Sequence, residues 1–593
     1  MTQAPASRPN LLSKLGPDLR RRITRGSTLL LVSSPLVISG GLLTMTLRHK
    51  ELNEPYFVHS AYYALTALLV VYACIELSRF NGWNGARAWL NEHRAGLVVT
   101  TLVSVIVLLS VEPAYRVLAD EANLVGVSRN LFYQRTANFA TMGKWYFENF
   151  WTLNVATDRR PALFPYLVNL LHVLRGYHPE NAFHLNAILL VAFVFTCYRV
   201  AKKFGGELFG LAACVLAATN PNTLIAARSA GFDLLSTFML LVVFNGFAEF
   251  VREATPRRLA LLALQLVMLA HVRYEGWALA LATLGVLLVS RRMRREHLRG
   301  YGYLYALLPL FLLPRYWQTV AKANDAEQPL SATLFSLKNL TQNAGEYLGL
   351  LKSPLDISGP HSPLLMLLAL MGCAALIPKA TRLTRATLRS GNFWCAVLAG
   401  VVLAAEAAIS FTYVWGKSLH PSSCRLFVWL DTAVAFAAAW ALTLIGGRFA
   451  SLRTPVSGLA TLLPCFALLA MHVPVASEAR FTNSLILTRQ AAATWRFFET
   501  LGKRNILVMT DRPGLYTIMN YGALDISLAN SDRSPLLELS HHLYDDIYLV
   551  QEVDLKTSEP LPGFNAWPDV EKQTVLEFQN TDSSSVRVAR VKQ

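Results

Sequence analysis

Apolar residues gather along this chain in long runs separated by short polar links. The runs cover about 27–46, 57–78 and 95–112, then 162–175, 182–199, 207–220, 233–251, 259–273, 274–290 and 302–314, and finally 362–378, 391–413, 426–446 and 454–474. Most approach the roughly 17–25 residues with which a helix crosses a bilayer, which makes about fourteen candidate spans. The link Arg291-Arg292-Met293-Arg294-Arg295-Glu296-His297-Leu298-Arg299 holds five Arg in nine residues and marks the cytoplasmic side. Residues 1–26, polar and basic near their end, read as a cytoplasmic tail, and the run after them reads as a retained anchor. Loops 113–161, 315–361 and 414–425, and everything after 475, then fall outside. An inside start and an outside end need an odd count, so about thirteen spans are expected. One of 162–175 and 207–220, both short, fails to cross fully.

From 475 onward the pattern changes. Arg504–Thr510 has the apolar density of a buried strand and runs into the turn Asp511-Arg512-Pro513-Gly514. Leu515–Tyr521 reads as a short helix, and Asp525–Leu528 and Asp546–Val550 as further strands. The fold class expected is a polytopic all-α membrane core, 27–474, with a small extracytoplasmic α/β domain, 475–593.

Composition agrees. Of 593 residues 53% are apolar and 16% charged. The net charge of +17 follows the links between runs, so topology accounts for it without a nucleic-acid partner. Seven Cys are scattered without metal-ligand spacing, and adjacent His541-His542 would point apart on a regular element. No metal or other cofactor is expected.

The candidate chemistry lies at the outer ends of spans. Asp120 and Glu121 read as the start of a surface helix, and a carboxylate there is placed to take a proton from a hydroxyl. A solvated, helix-starting acidic pair is the plainer reading. Asp158, Arg159 and Arg160 head the next helix, and arginines hold phosphate in bidentate fashion. Arg228 with Asp233, Arg273 with Glu275, and the set Lys417, His420 and Arg425 add charge at the same face. A charge at bilayer centre costs about 2.5–3.5 kcal/mol, so an interface or a cavity suits them better; snorkelling alone would also explain Arg273. Glu406 and Asp431 lie deeper, where buried ion pairing accounts for them. Together these charges suit an anionic lipid headgroup whose tail enters between helices.

Asp120-Glu121-Ala122, following its span, resembles the signature of the GT-C membrane glycosyltransferases, and more narrowly the branch of protein O-mannosyltransferases and the lipid A aminoarabinose transferase. Asp158-Arg159-Arg160-Pro161-Ala162-Leu163-Phe164-Pro165-Tyr166 is similar to that branch's Lys-Pro-Pro-Leu helix start, with Arg160 in the lysine's place and Ala162 replacing the second proline. Asn220-Pro221 through Arg228 to Asp233 resembles the next block. The resemblance implies inverting transfer of a sugar from a polyprenyl-phosphate donor to a hydroxyl of an envelope lipid, glycan or protein on the non-cytoplasmic face of a bacterial inner membrane. It makes Asp120 the base and lets Arg160, Arg228 or Arg273 meet the donor phosphate. Membrane lipids are the other expected partners. A transporter or flippase for a lipid-linked or anionic solute is the alternative; it would place paired charges mid-membrane and show internal repeats.

Overall fold

The computed structural model describes residues 41, 50–78, 82–146, 149–293, 310–314, 318, 334–377, 390–448, 454–478, 486–503, 505–526, 542–561, 570–579 and 584–592. The tail 1–26, most of the run 27–46, and the links 294–299 and 379–389 lie outside them, as does most of the run 302–314. The first part of loop 315–361 and the His541 position are outside as well.

The chain is a polytopic, mostly α-helical membrane protein. Among the described residues, six helices are long and apolar enough to cross a membrane, or seven if one bent pair counts as a span. In chain order the helices up to the first strand are α1 Lys50–Leu77, α2 Gly82–Glu92, α3 Arg94–Ser110 and α4 Leu118–Gln134. After the hairpin β1 Phe139–Tyr146 and β2 Asn149–Ala156 come α5 Leu163–Arg175, α6 Asn181–Ala217, α7 Pro221–Ala227, α8 Asp233–Arg252, α9 Pro256–Ala270 and α10 Tyr274–Val289. Then follow α11 Leu337–Gly349, α12 Pro363–Ala374, α13 Gly391–Thr412, α14 Val428–Arg448, α15 Thr454–Ser477 and α16 Ile486–Leu501. The runs from 57 to 290 and from 362 to 474 overlap these helices, while 27–46 and 302–314 lie mostly outside the described residues.

α6 merges two expected runs. It breaks at Gly206, whose φ of 83° only glycine adopts without strain, and the chain reverses there. Beside the break Lys202 pairs with Glu207 at 2.8 Å and Lys203 with Glu249 at 2.6 Å. From that end the second limb climbs through 207–220 to Arg228, which reaches Val111 at the opposite end of the bundle. α5 is short and touches both the bundle and the C-terminal residues. Its first residue donates to the His271 carbonyl (3.1 Å), and just past its end the Tyr177 hydroxyl donates to Ile518 of the C-terminal domain (2.6 Å). One face of α5 buries Phe164, Val168, Asn169 and His172, while Leu170, Val173 and Leu174 are exposed. That is an amphipathic helix with one packed and one exposed face.

The C-terminal strands are β3 Ile506–Thr510, β4 Gly522–Asp525, β5 Asp546–Asp554, β6 Lys572–Gln579 and β7 Ser584–Val591, with the short helix α17 Gly514–Thr517 after β3. They form one seven-stranded sheet with the hairpin of the first loop, in the order β2-β1-β4-β3-β5-β7-β6. β3 is parallel to both neighbours, while β1 meets β4 antiparallel at Gly143 and Ala523. The sheet thus joins strands from 475–593 with residues 139–156. The strand expected at Asp525–Leu528 lies earlier, at Gly522–Asp525, because Asn520, left-handed at φ 60°, turns the chain directly into it.

Candidate active site

The site begins with the first turn of α4. Its N-cap residue is Val117, which has no side-chain acceptor to offer the free N–H groups of the helix start. Glu121 supplies one from inside the helix. Its carboxylate accepts the backbone N–H of Arg116 at 3.0 Å, of Val117 at 3.2 Å and of Ala230 at 3.1 Å. Glu121 is fully buried, and burial pushes its pKa up to about 7 against the pull of those donors. It acts as a fastener that locks the start of α4 to the loop before Asp233.

Asp120, one residue earlier, faces the other way and is one-quarter exposed. One carboxylate oxygen accepts from the Arg160 guanidinium and the other from Arg425. Burial raises its pKa, but the guanidiniums of Arg425 and Arg160 outweigh that and hold it below the usual carboxylate value. Asp120 is therefore ionised at neutral pH.

Acids and bases alternate outward from this pair. Arg160 Nη1 donates to both oxygens of Asp158, at 2.9 and 3.1 Å, and the same carboxylate accepts the Arg160 backbone N–H at 3.0 Å. Burial depresses the Arg160 pKa; Asp158 and Asp120 more than restore it. On the other side Arg425 lies 3.7 Å from Asp233, which accepts from Arg273 at 2.9 Å, and Arg273 reaches Glu275 at 3.0 Å. Segments from five parts of the chain thus join in one line: Asp158, Arg160, Asp120, Arg425, Asp233, Arg273 and Glu275. Arg425 Nε and Nη1 and Arg273 Nε have no hydrogen-bond acceptor among the described residues. Buried guanidinium donors without acceptors are costly, and an incoming oxyanion would satisfy them.

The other expected residues fall outside this line. Arg228 turns away and donates from Nε to the Val111 carbonyl at 2.7 Å. Arg159 is half-buried, with its charge close to Tyr274. Lys417 and His420 are exposed, and His420 Nδ1 accepts the Ser422 backbone N–H at 3.3 Å. Asp431 is ion-paired as expected, with His361 at 2.8 Å, whereas Glu406 is buried near Arg273 and Glu275.

A second polar group, of which the sequence reading singled out Asp431, holds the strap that carries Arg425. Arg116 donates to Asn222 at 2.9 Å and to the Pro421 carbonyl at 3.3 Å. Asn222 donates to the Cys424 carbonyl at 2.8 Å and to Asp431 at 2.7 Å. His361 then joins Asp431 to the Ser418 carbonyl at 3.0 Å. The only sequence signal for these residues was polarity in an apolar setting. Among the described residues, no three His, Cys, Asp or Glu side chains converge as a metal site.

Charged groups thus gather at one end of a helical bundle beside a small sheet. No family model and no curated protein sequence matches the chain. Among solved structures, ArnT from Cupriavidus metallidurans in the apo state matches with a TM-score of 0.51 and 14% identity, over 85% of this chain and 98% of that one. ArnT bound to undecaprenyl phosphate matches with 0.49 and 12%, over 84% and 98%. The Archaeoglobus fulgidus oligosaccharyltransferase in complex with Zn and sulfate matches with 0.45 and 11%, over 76% and 67%. At such identity the likeness to apo ArnT shows a shared fold.

Proposed function

We propose that the protein is an inverting glycosyltransferase of the inner membrane that uses a polyprenyl-phosphate-linked sugar, with its site on the non-cytoplasmic face. The observation that carries this reading is Asp120 held between Arg160 and Arg425, with unfilled guanidinium donors beside it. Without substrate, Asp120 serves as counter-ion to both arginines. A donor phosphate competes for the same guanidiniums and releases Asp120 to face the acceptor. The acceptor oxygen then attacks the anomeric carbon, the bond from that carbon to the phosphate oxygen breaks, and the hydroxyl proton passes to Asp120. The leaving phosphate takes its electron pair onto oxygen, where Arg160 and Arg425 offset the charge. A lowered pKa makes Asp120 a weak base while clamped; losing one guanidinium to phosphate restores basicity when it is needed. The resemblance to the aminoarabinose and protein mannosyl transferase branch supports this chemistry, while the acceptor is an envelope lipid, glycan or protein left open.

The test is turnover by the purified full chain with a polyprenyl-phosphate sugar. Undecaprenyl phosphate, the lipid held by ArnT, should bind and compete with donor. Asp120→Asn should stop release of polyprenyl phosphate without loss of fold. Full turnover by that variant would overturn the mechanism, and transport of unchanged donor into sealed vesicles would favour the transporter.

A further inference from the structure

The strap that carries Arg425 is fastened near its start by an imidazole with two acceptors. His361 is fully buried; Nδ1 lies 2.8 Å from Asp431 Oδ1, and Nε2 lies 3.0 Å from the Ser418 carbonyl. Among the described residues the other buried histidines need only one ring proton. His172 accepts the Asn181 amide at Nδ1 and meets the Ser128 hydroxyl at Nε2, while His93, His271 and His472 each face one carbonyl. A neutral imidazole donates from one nitrogen only.

Asp431 Oδ2 accepts from Asn222 at 2.7 Å, so the carboxyl has one oxygen left for the ring. Both ring contacts are filled only while the His361–Asp431 pair holds two protons, one on Nε2 and one at the Nδ1–Oδ1 contact. With one proton fewer, a lone pair faces either the carboxylate or the carbonyl. The charge-assisted bond to Asp431 is the stronger, so the contact that opens is the one to Ser418. Around the ring stand Tyr347 of α11 at 5.2 Å and Phe427 at 6.0 Å between ring centres. The Cys424 thiol is bonded to Arg116 at 2.6 Å, and Glu346 accepts the Leu419 N–H at 2.9 Å. Asp356, Lys417 and His420 are exposed, and Arg425 turns to Asp120.

His361 cannot follow a departing strap. The Pro360 carbonyl accepts the Asn222 backbone N–H at 2.8 Å, and Ser362 caps α12 by accepting the Leu365 N–H at 3.2 Å. The strap side is the looser one, with Lys417, Leu419 and His420 exposed. A cavity of about 490 Å3 lies between α11, the 353–361 loop and the strap, with Glu346, His361 and Leu419 in its wall. It gives the buried pair a short route to solvent. We propose that His361 is a pH-sensitive latch: the doubly protonated pair holds Ser418 and closes the strap, and loss of one proton frees it. The latched state binds more protons, so the latch is set in acid and lost as pH rises. Arg425 ends the same strap, so alkaline conditions loosen its hold on Asp120; the consequence for donor phosphate rests on the proposed function.

The test is hydrogen exchange on the full chain in detergent, corrected for the chemical exchange rate at each pH. It needs no substrate or turnover, so its failure is distinct from failure of the proposed reaction. Between about pH 5 and pH 9, which brackets the range in which imidazole changes charge, exchange across 417–424 should rise at least tenfold relative to β3. Asp431→Asn can turn its amide N–H to His361 Nδ1 and its oxygen to Asn222, so a neutral ring fills both contacts. Exchange in that variant should stay slow at every pH. His361→Gln has donors at one end of its amide only, and its strap should exchange fast at every pH. A flat profile in the native chain, an equal rise across β3, or a rise that survives in Asp431→Asn would overturn the latch. Where His361→Gln does not fold, Asp431→Asn decides alone.

Discussion

Asp120 and Arg425 stand 305 residues apart in the chain and meet carboxylate to guanidinium. The contact joins the first turn of α4 to the strap before α14, and each residue determines what the other can do. Arg425 keeps Asp120 ionised and occupied, while Asp120 keeps the guanidinium oriented toward the place where a phosphate would sit. Replacing Asp120 by Asn should therefore lower turnover by about 10²–10⁴-fold, the range for loss of a general base. The same change removes a competitor for the arginines, so undecaprenyl phosphate should bind more tightly. Binding titration beside single-turnover kinetics separates the two effects, and weakened lipid binding in the Asn variant would contradict the exchange mechanism.

Arg425→Lys keeps the charge and loses the fork that serves Asp120 and Asp233 together. It should raise the KM for donor lipid by roughly tenfold, or about 1.4 kcal/mol, with a smaller effect on kcat. Arg228→Lys, whose side chain turns to the Val111 carbonyl, should leave the donor KM within about twofold. Steady-state kinetics on the two variants checks whether the line of ion pairs marks the donor site.

Glu121 supplies a pH signature. Its carboxyl binds a proton up to about pH 7 in the folded chain, against 4.5 for the ordinary group. Because the folded state holds this proton more tightly than the unfolded state, stability is greatest below about 4.5 and declines as pH rises towards 7. The size is of order 3 kcal/mol. Glu121→Gln cannot titrate and should flatten this part of the profile. Tm measured from pH 5 to pH 8 on both proteins gives the comparison, and parallel profiles would remove Glu121 as the cause.

The reach of the sequence can be judged from the same residues. Helix positions were legible because long apolar runs mark helices with packed or lipid-compatible faces, and Asp120 drew attention because its neighbours keep a recognisable order. Its partnership with Arg425 depended on folding across more than half of the chain, which no local pattern encodes. Arg116, Asn222 and His361 carry ordinary polar identities and acquire their role only when α7 and the 418–425 strap meet. Length does not decide which of 162–175 and 207–220 crosses, whereas Gly205-Gly206 held the clue to the break inside α6. The hairpin at 139–156 escaped notice because its sequence carries no Asn-Gly or Asp-Gly signal, and because β1 finds its sheet partner in β4. Its strands make sense only with that distant edge present.

The strap carrying Arg425 should fail through Asp431. Its oxygens accept from His361 and Asn222, both fully buried. Asp431→Ala leaves those donors without an acceptor and should destabilise the fold by about 1–3 kcal/mol per orphaned group. Asp431→Asn keeps the shape and one acceptor, so it should recover much of that loss. Urea or thermal unfolding of the two variants decides the matter, and a silent Ala variant would show that the strap is held by other contacts.

The C-terminal domain should govern the order of α4. Arg129 of that helix is 2% exposed and lies 4.3 Å from the centre of the Phe150 ring on the hairpin. Its Nε donates to Asn520 of the domain at 2.8 Å, and the Thr517 hydroxyl donates to the Ala140 carbonyl at 2.8 Å. Removing residues 480–593 would uncover the β1 edge and leave a desolvated guanidinium without its best acceptor. The start of α4, fastened separately through Glu121 to Ala230, should hold while its second half loosens. Hydrogen exchange on the truncated protein should therefore rise across 129–146 more than across 118–124. Lipid binding should persist, since Asp120, Arg160, Arg425 and Arg273 all lie outside the removed residues and the start of α4 holds. Asn520→Ala is the milder probe, expected to destabilise by about 1–3 kcal/mol through the orphaned Arg129 donor. Unchanged exchange across 129–146 in the truncated protein would separate the domain from α4.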